Sequence, residues 1–315
     1  MKRQIFSLMI MAATLAFVVS CGDDDPVRSA SCTDGIQNGD ETGVDCGGSS
    51  CQPCASSDLT GDVTTDVTLD ASVTYKLTGA YVVQDGGILR IPAGTRIEAT
   101  GGTSAYIAVA QGGKIYVDGN KDNPVVMTSG AATPAPKDWG GLVVCGKAPT
   151  NIGATATSEV AGLTYGGSTA NDDSGSIRYL RIEYTGATFN SSKEFNGLSL
   201  FGVGSGTTVE YVQSFEGGDD GIEFFGGTVN GKYLVATNSG DDSIDFADGW
   251  AGIGEYWYIS GSAKAGIEGS NNGNDGNATP VTNATLSKIT VVGPVTEGAL
   301  FYKEGGGNFT IDNFY

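Results

Sequence analysis

The sequence predicts an all-β chain wound as a parallel β-solenoid, and three observations carry that expectation. Glycine supplies 50 of 315 residues, and short runs of Val, Ile, Thr and Tyr alternate with Gly, Asn, Asp and Ser, as strands alternate with turns. Beyond the N-terminus no long stretch sustains a 3.6-residue apolar period. Short motifs also recur every 22 to 26 residues, the length of one solenoid coil.

The N-terminal segment reads as an export signal. Lys2 and Arg3 precede an apolar run from Ile5 to Val19, too short for a comfortable membrane span. It ends in Val18-Val19-Ser20-Cys21, which resembles the lipobox of bacterial lipoproteins. That resemblance implies cleavage after residue 20 and diacylation of Cys21, an anchor made of acyl chains. Loss of Lys2 and Arg3 takes the net charge from -19 to -21, a surface that repels nucleic acid and anionic headgroups. Residues 21–31 form an acidic tether. Its Gly22-Asp23-Asp24-Asp25 resembles the signal that exports Bacteroidetes lipoproteins to the outer leaflet, implying an outer-membrane protein facing the exterior.

Residues 32–54, "CTDGIQNGDETGVDCGGSSCQPC", hold Cys32, Cys46, Cys51 and Cys54. A segment this short cannot bury a core, and in an exported chain two disulfides are the natural staple, with three pairings open. Zinc is the weaker alternative, because there is a single C-x2-C pair and no histidine in the chain. The stretch resembles a small Cys-rich module of extracellular bacterial proteins. Asp40, Glu41 and Asp45 offer oxygen ligands for Ca2+, though a solvated acidic loop explains them more simply. Residues 55–62 read as a linker.

Residues 63–315 repeat. "GLSLFG" at 197, "GIEFFG" at 221, "SIDFAD" at 243, "GIEGSN" at 266 and "GALFYK" at 298 mark successive coils, with second strands such as "TVEYVQ", "KYLVAT" and "EYWYIS" between them. Equivalent residues of neighbouring coils then stack about 4.8 Å apart. The segments "DWGGLVVCGKAPTN", "IRYLRIEYTG", "FNGLSLFG" and "SGDDSIDFADGW" resemble a family of Bacteroidetes lipoproteins, some labelled multidrug transporters. That resemblance implies a right-handed parallel β-helix and no settled activity. A transporter is unexpected on physical grounds, since no segment after the signal is apolar enough to cross a bilayer as a helix. "FTIDNFY" ends the sequence inside a strand pattern, which suggests further coils beyond it.

Alternation places Ile222 and Phe224 over Ile244 and Phe246 in the core and sends Ser199, Glu223, Asp245 and Glu268 outward in one column. In the preceding turn Asp219 stacks over Asp241 and Asp220 over Asp242, with Lys264 on the next rung. Stacked like charges repel by roughly 1 kcal/mol in water. Ca2+ held by Asp219, Asp220, Glu223, Asp241, Asp242 and Asp245 would offset this, as would turn aspartates capping local backbone N–H groups in solvent.

Catalysis is a further reading. The "GDD" motif is similar to the carboxylate cluster of pectin-type hydrolases, but the histidine of that pattern is missing. Asp242 would serve as carboxylate and Lys264 as a lyase base, with Tyr302 and Lys303 behind it, although Lys264 also suits a salt bridge to Asp241. Trp250, Tyr256 and Trp257 are candidates for stacking on sugar rings. The alternation of "EYWYIS" permits either face outward, and Trp139 and Tyr258 share this aromatic character. Cys145, inside "GLVVCGK", reads as an inert core residue. Two functional classes therefore stand: a non-enzymatic binding or adhesion protein for a polysaccharide or envelope partner, and a Ca2+-dependent polysaccharide lyase or glycoside hydrolase.

Overall fold

The structure is a computed structural model that describes residues 31–52, 56–303 and 307–315. The signal, Cys21, most of the tether and Cys54 lie outside the described residues. The chain divides into two compact units at Ser56/Ser57.

In the N-terminal unit Cys32 and Cys51 form a disulfide, with Cα atoms 5.4 Å apart, and Cys46 is also disulfide-bonded. The module's acids serve its turns. Asp45 accepts the backbone N–H groups of Asp34 and Gly35, Glu41 that of Asn38, and Asp40 that of Ser49. With few apolar residues to bury, such a segment is ordered by these bonds and its crosslinks.

The second unit is a right-handed parallel β-helix, built as one 20-stranded parallel sheet. No α-helix occurs among the described residues, and a single 3-10 turn spans Gly102–Ser104. Its first strand, Asp58–Val63, pairs with Thr74–Val83. Residues 58–62, expected as linker, therefore belong to the solenoid: Leu59 is buried and its alternation with polar neighbours suits a strand edge.

Strands stack in three columns. The first runs through Leu142–Cys145, Leu198–Phe201, Ile222–Phe225, Ile244–Ala247, Ala265–Gly269 and Gly298–Tyr302. The other two come from the long strands Gly175–Glu183, Thr208–Phe215, Asn230–Ser239, Ile253–Ser262 and Asn283–Val292. Each long strand bends near its middle at a residue with positive φ: Tyr179, Tyr211, Tyr233, Tyr256 and Lys288. Two successive side chains then face outward, so the alternation resumes in the opposite phase.

Apolar rungs fill the interior. Leu198, Ile222, Ile244 and Ile267 form one line and Leu200, Phe224 and Phe246 another. Trp139, Trp250 and Trp257 are also wholly interior, and their indole N–H groups donate to the carbonyls of Glu183, Val229 and Gly231. A second apolar cluster lies outside the first column, where Cys145, Phe201 and Phe225 pack under Val160 and Tyr165. Burial pushes the Cys145 thiol up to about 12, so it stays protonated.

Candidate functional site

The outward column forms in the expected register. Ser199, Glu223, Asp245 and Glu268 pair rung to rung. Their burial was not expected: Glu223, Asp245 and Glu268 are each less than a tenth exposed. The chain leaves the coil between residues 146 and 174 and again between 184 and 197. Glu159, Ser192, Lys193 and Glu194 from these excursions wall the column, making a cleft of about 360 Å3 whose lining is almost wholly polar.

The aspartate pairs of the turn share this cleft. The backbone N–H of Asp242 donates to Asp220 Oδ1 at 2.8 Å, and that of Ala265 donates to Asp242 Oδ1 at 2.6 Å. Each aspartate thus caps the following coil rather than its own turn. Gly221 permits the tight stacking, because a Cβ there would lie 2.5 Å from the Ser243 carbonyl oxygen.

Charge is divided unevenly. Four acids face a lysine: Glu159 with Lys193, Glu194 with Lys137 at 2.5 Å, Asp241 with Lys264 at 2.6 Å and Glu268 with Lys303 at 2.9 Å. Asp219, Asp220, Glu223, Asp242 and Asp245 have no ion pair among the described residues. One carboxylate oxygen from each of Asp220, Glu223 and Asp245 falls within 4.8 Å of the others, and the same holds for Asp219, Asp220 and Asp241.

Burial is the largest cause of a raised pKa throughout this set, with neighbouring carboxylates adding to it. Asp220, Glu223 and Asp245 are pushed well above the carboxylate range. Burial, then Glu194 and Asp241, raise Asp219 to about 7. Asp242 also reaches about 7, through burial and Glu268, against the Ala265 N–H that lowers it.

Asn196 joins the site without a signal in the repeats. It is buried and donates through Nδ2 to Glu223 Oε2 at 2.5 Å, while its Oδ1 accepts no hydrogen bond. Asp245 Oδ1 is likewise buried without a hydrogen-bond partner. Lys264 is bound to Asp241, which raises its pKa; an ammonium so held is a poor proton acceptor.

The aromatic candidates fall elsewhere. Trp250 and Trp257 are in the core, so neither is a ligand platform; the left-handed bend at Tyr256 turns Trp257 inward between exposed Tyr256 and Tyr258.

An acid-floored cleft on one face of a right-handed β-helix defines the class of protein. A model of the pectate-lyase like beta helix domain family matches residues 61–315, and the chain belongs to that family. Among solved structures, the enzymatically active domain of bacteriophage CBA120 tailspike protein 2 is similar at 9% identity with a TM-score of 0.20, covering 76% of this chain. The match spans 41% of the tailspike domain. No curated protein matches the chain.

Proposed function

We propose that the chain is a polysaccharide-binding protein of the cell envelope that grips its ligand through Ca2+ held in the acidic cleft. The observation that carries this reading is Asp245 Oδ1, buried and without a hydrogen bond beside the carboxylates of Asp220 and Glu223. A buried carboxylate oxygen left without a partner costs free energy. Ca2+ takes six to eight oxygen ligands and prefers carboxylates and carbonyls. The cleft offers only hard oxygens beside its rim lysines. Asp220, Glu223 and Asp245 would hold the ion, with Asn196 orienting Glu223. Bound Ca2+ would supply positive charge to which acidic or hydroxyl oxygens of a sugar coordinate.

The family's description supports polysaccharide as the ligand. The pattern of residues 2–25 supports attachment to the outer membrane through an acylated Cys21, facing the exterior. Palmitate labelling lost in Cys21→Ala tests the anchor.

Thermal unfolding in EDTA and in CaCl2, together with a glycan-array screen, tests the cleft. Ca2+ raises Tm in the wild type and not in Asp245→Asn, and the glycans retained in Ca2+ are released by EDTA. An equal Tm in both buffers overturns the reading.

Turnover is the second reading, favoured by Asp219 and Asp242, each held near 7. A carboxyl still protonated near neutrality can donate to a leaving group. Release of reducing ends or unsaturated uronate, abolished by Asp242→Ala, would replace binding with a glycoside hydrolase or lyase.

A further inference from the structure

Away from the cleft, four tyrosines stack along the bend of the long strands. Ring centroids lie 4.3 Å apart for Tyr179 and Tyr211, 4.5 Å for Tyr211 and Tyr233, and 4.8 Å for Tyr233 and Tyr256. Interplanar angles are 2°, 13° and 20°. Lys288 closes the stack, its Nζ 4.4 Å above the Tyr256 ring centroid. The rings cover one another's faces, so the ladder presents ring edges to solvent.

Every tyrosine in the ladder has φ between 50 and 57°. A bulky residue in this region is strained, and stacking together with the area the rings bury against one another offsets that strain. Asn, which tolerates this region, stands at the equivalent bend at position 313, with φ 54°.

A groove of about 340 Å3 runs beside the ladder, lined by Tyr211, Gln213, Tyr233, Val235 and Tyr256, with little polar surface. Tyr211 and Tyr256 are 37% and 39% exposed. On the other flank Arg178 pairs with Glu210 at 3.3 Å, and Lys232 and Lys288 share Glu255 at 3.3 and 3.1 Å, which leaves one positive charge in excess outside the groove. The groove's own lining carries no charged side chain, so a charged polymer finds no counter-charge within it. A neutral one finds an apolar floor edged by tyrosine rings.

We propose that this groove is a second glycan site, taking a neutral polysaccharide chain laid along the helix axis with its hydroxyls on the tyrosine row. It needs neither the carboxylates of the cleft nor a cation.

The test titrates the purified full chain with cellohexaose, mannohexaose and laminarihexaose by calorimetry, in EDTA. Variants are Tyr211→Asn/Tyr233→Asn, whose side chains tolerate positive φ, and Asp245→Asn. At least one neutral hexasaccharide binds in EDTA, binds at least tenfold more weakly to the tyrosine variant, and is unchanged in Asp245→Asn. Unaltered Tm of the tyrosine variant shows that the fold persists; Tyr211→Phe, which keeps the ring and removes one hydroxyl, gives a smaller loss should the double variant unfold. Absence of binding by all three sugars, or binding that depends on Asp245 and not on the tyrosines, overturns the proposal. Neither result bears on Ca2+ in the cleft, which is read by Tm.

Discussion

Asp220 accepts the backbone N–H of Asp242, the residue stacked on it one coil later, at 2.8 Å. A carboxylate in this position joins two coils and at the same time brings a charge under its neighbour's. The two effects separate by substitution. Asp220→Ala leaves a buried N–H without an acceptor and costs about 1–3 kcal/mol. Asp220→Asn keeps an acceptor and removes a charge, so in EDTA it is at least as stable as the wild type. Urea unfolding of both variants checks the pair.

Acidity should stabilise the cation-free protein. The folded-state values of Asp219 and Asp242 lie near 7, above 3.8, so between about pH 4 and 7 the folded chain holds protons that the unfolded chain has released. Stability contributed by those protons is complete below the unfolded value and is lost as pH rises through the folded one. In EDTA, Tm falls from pH 4.5 to 7.5; with saturating Ca2+ the fall is flattened, since the ion replaces the protons. A Tm in EDTA that rises across this window contradicts the assignment.

Trp257→Ala should cost about 3–5 kcal/mol, the range for removing a large core aromatic. Its ring lies within the interior beside Phe224 and Trp250. Denaturation and glycan binding measured together show a lower midpoint with sugar affinity unchanged while the variant is folded.

Loss of the Cys32–Cys51 crosslink, which closes a 19-residue separation, should cost the N-terminal unit roughly 3 kcal/mol. Hydrogen exchange in Cys32→Ser/Cys51→Ser rises across residues 32–51, with protection in strands such as Ile222–Phe225 retained.

Rung registers were legible because periodicity is a local property. The spacing of "GIEFF" and "SIDF" sufficed to place Phe224 over Phe246 and Glu223 over Asp245. What covers that column was not legible. Glu159, Lys193 and Asn196 come from segments outside the repeat, and nothing in their spacing relates them to Glu223. The aspartates were expected to cap their own turns; in a solenoid the nearest unpaired N–H belongs to the next coil. The orientation of "EYWYIS" was undecidable because a left-handed residue at Tyr256 reverses the phase, and tyrosine gives no sign of adopting it. Disulfide pairing was open for the same reason that Asn196 was missed: contacts distant in sequence leave no period.

The bend between the second and third columns is a single residue in the later coils, while the excursions at 146–174, 184–197 and 270–282 all enter beside the first column. Insertions at those places leave the stacked registers intact, whereas one residue added at the bend would shift a whole strand face. The scaffold is therefore modular in one direction: the rim of the cleft can be rewritten by loop grafting while its carboxylate floor keeps its spacing.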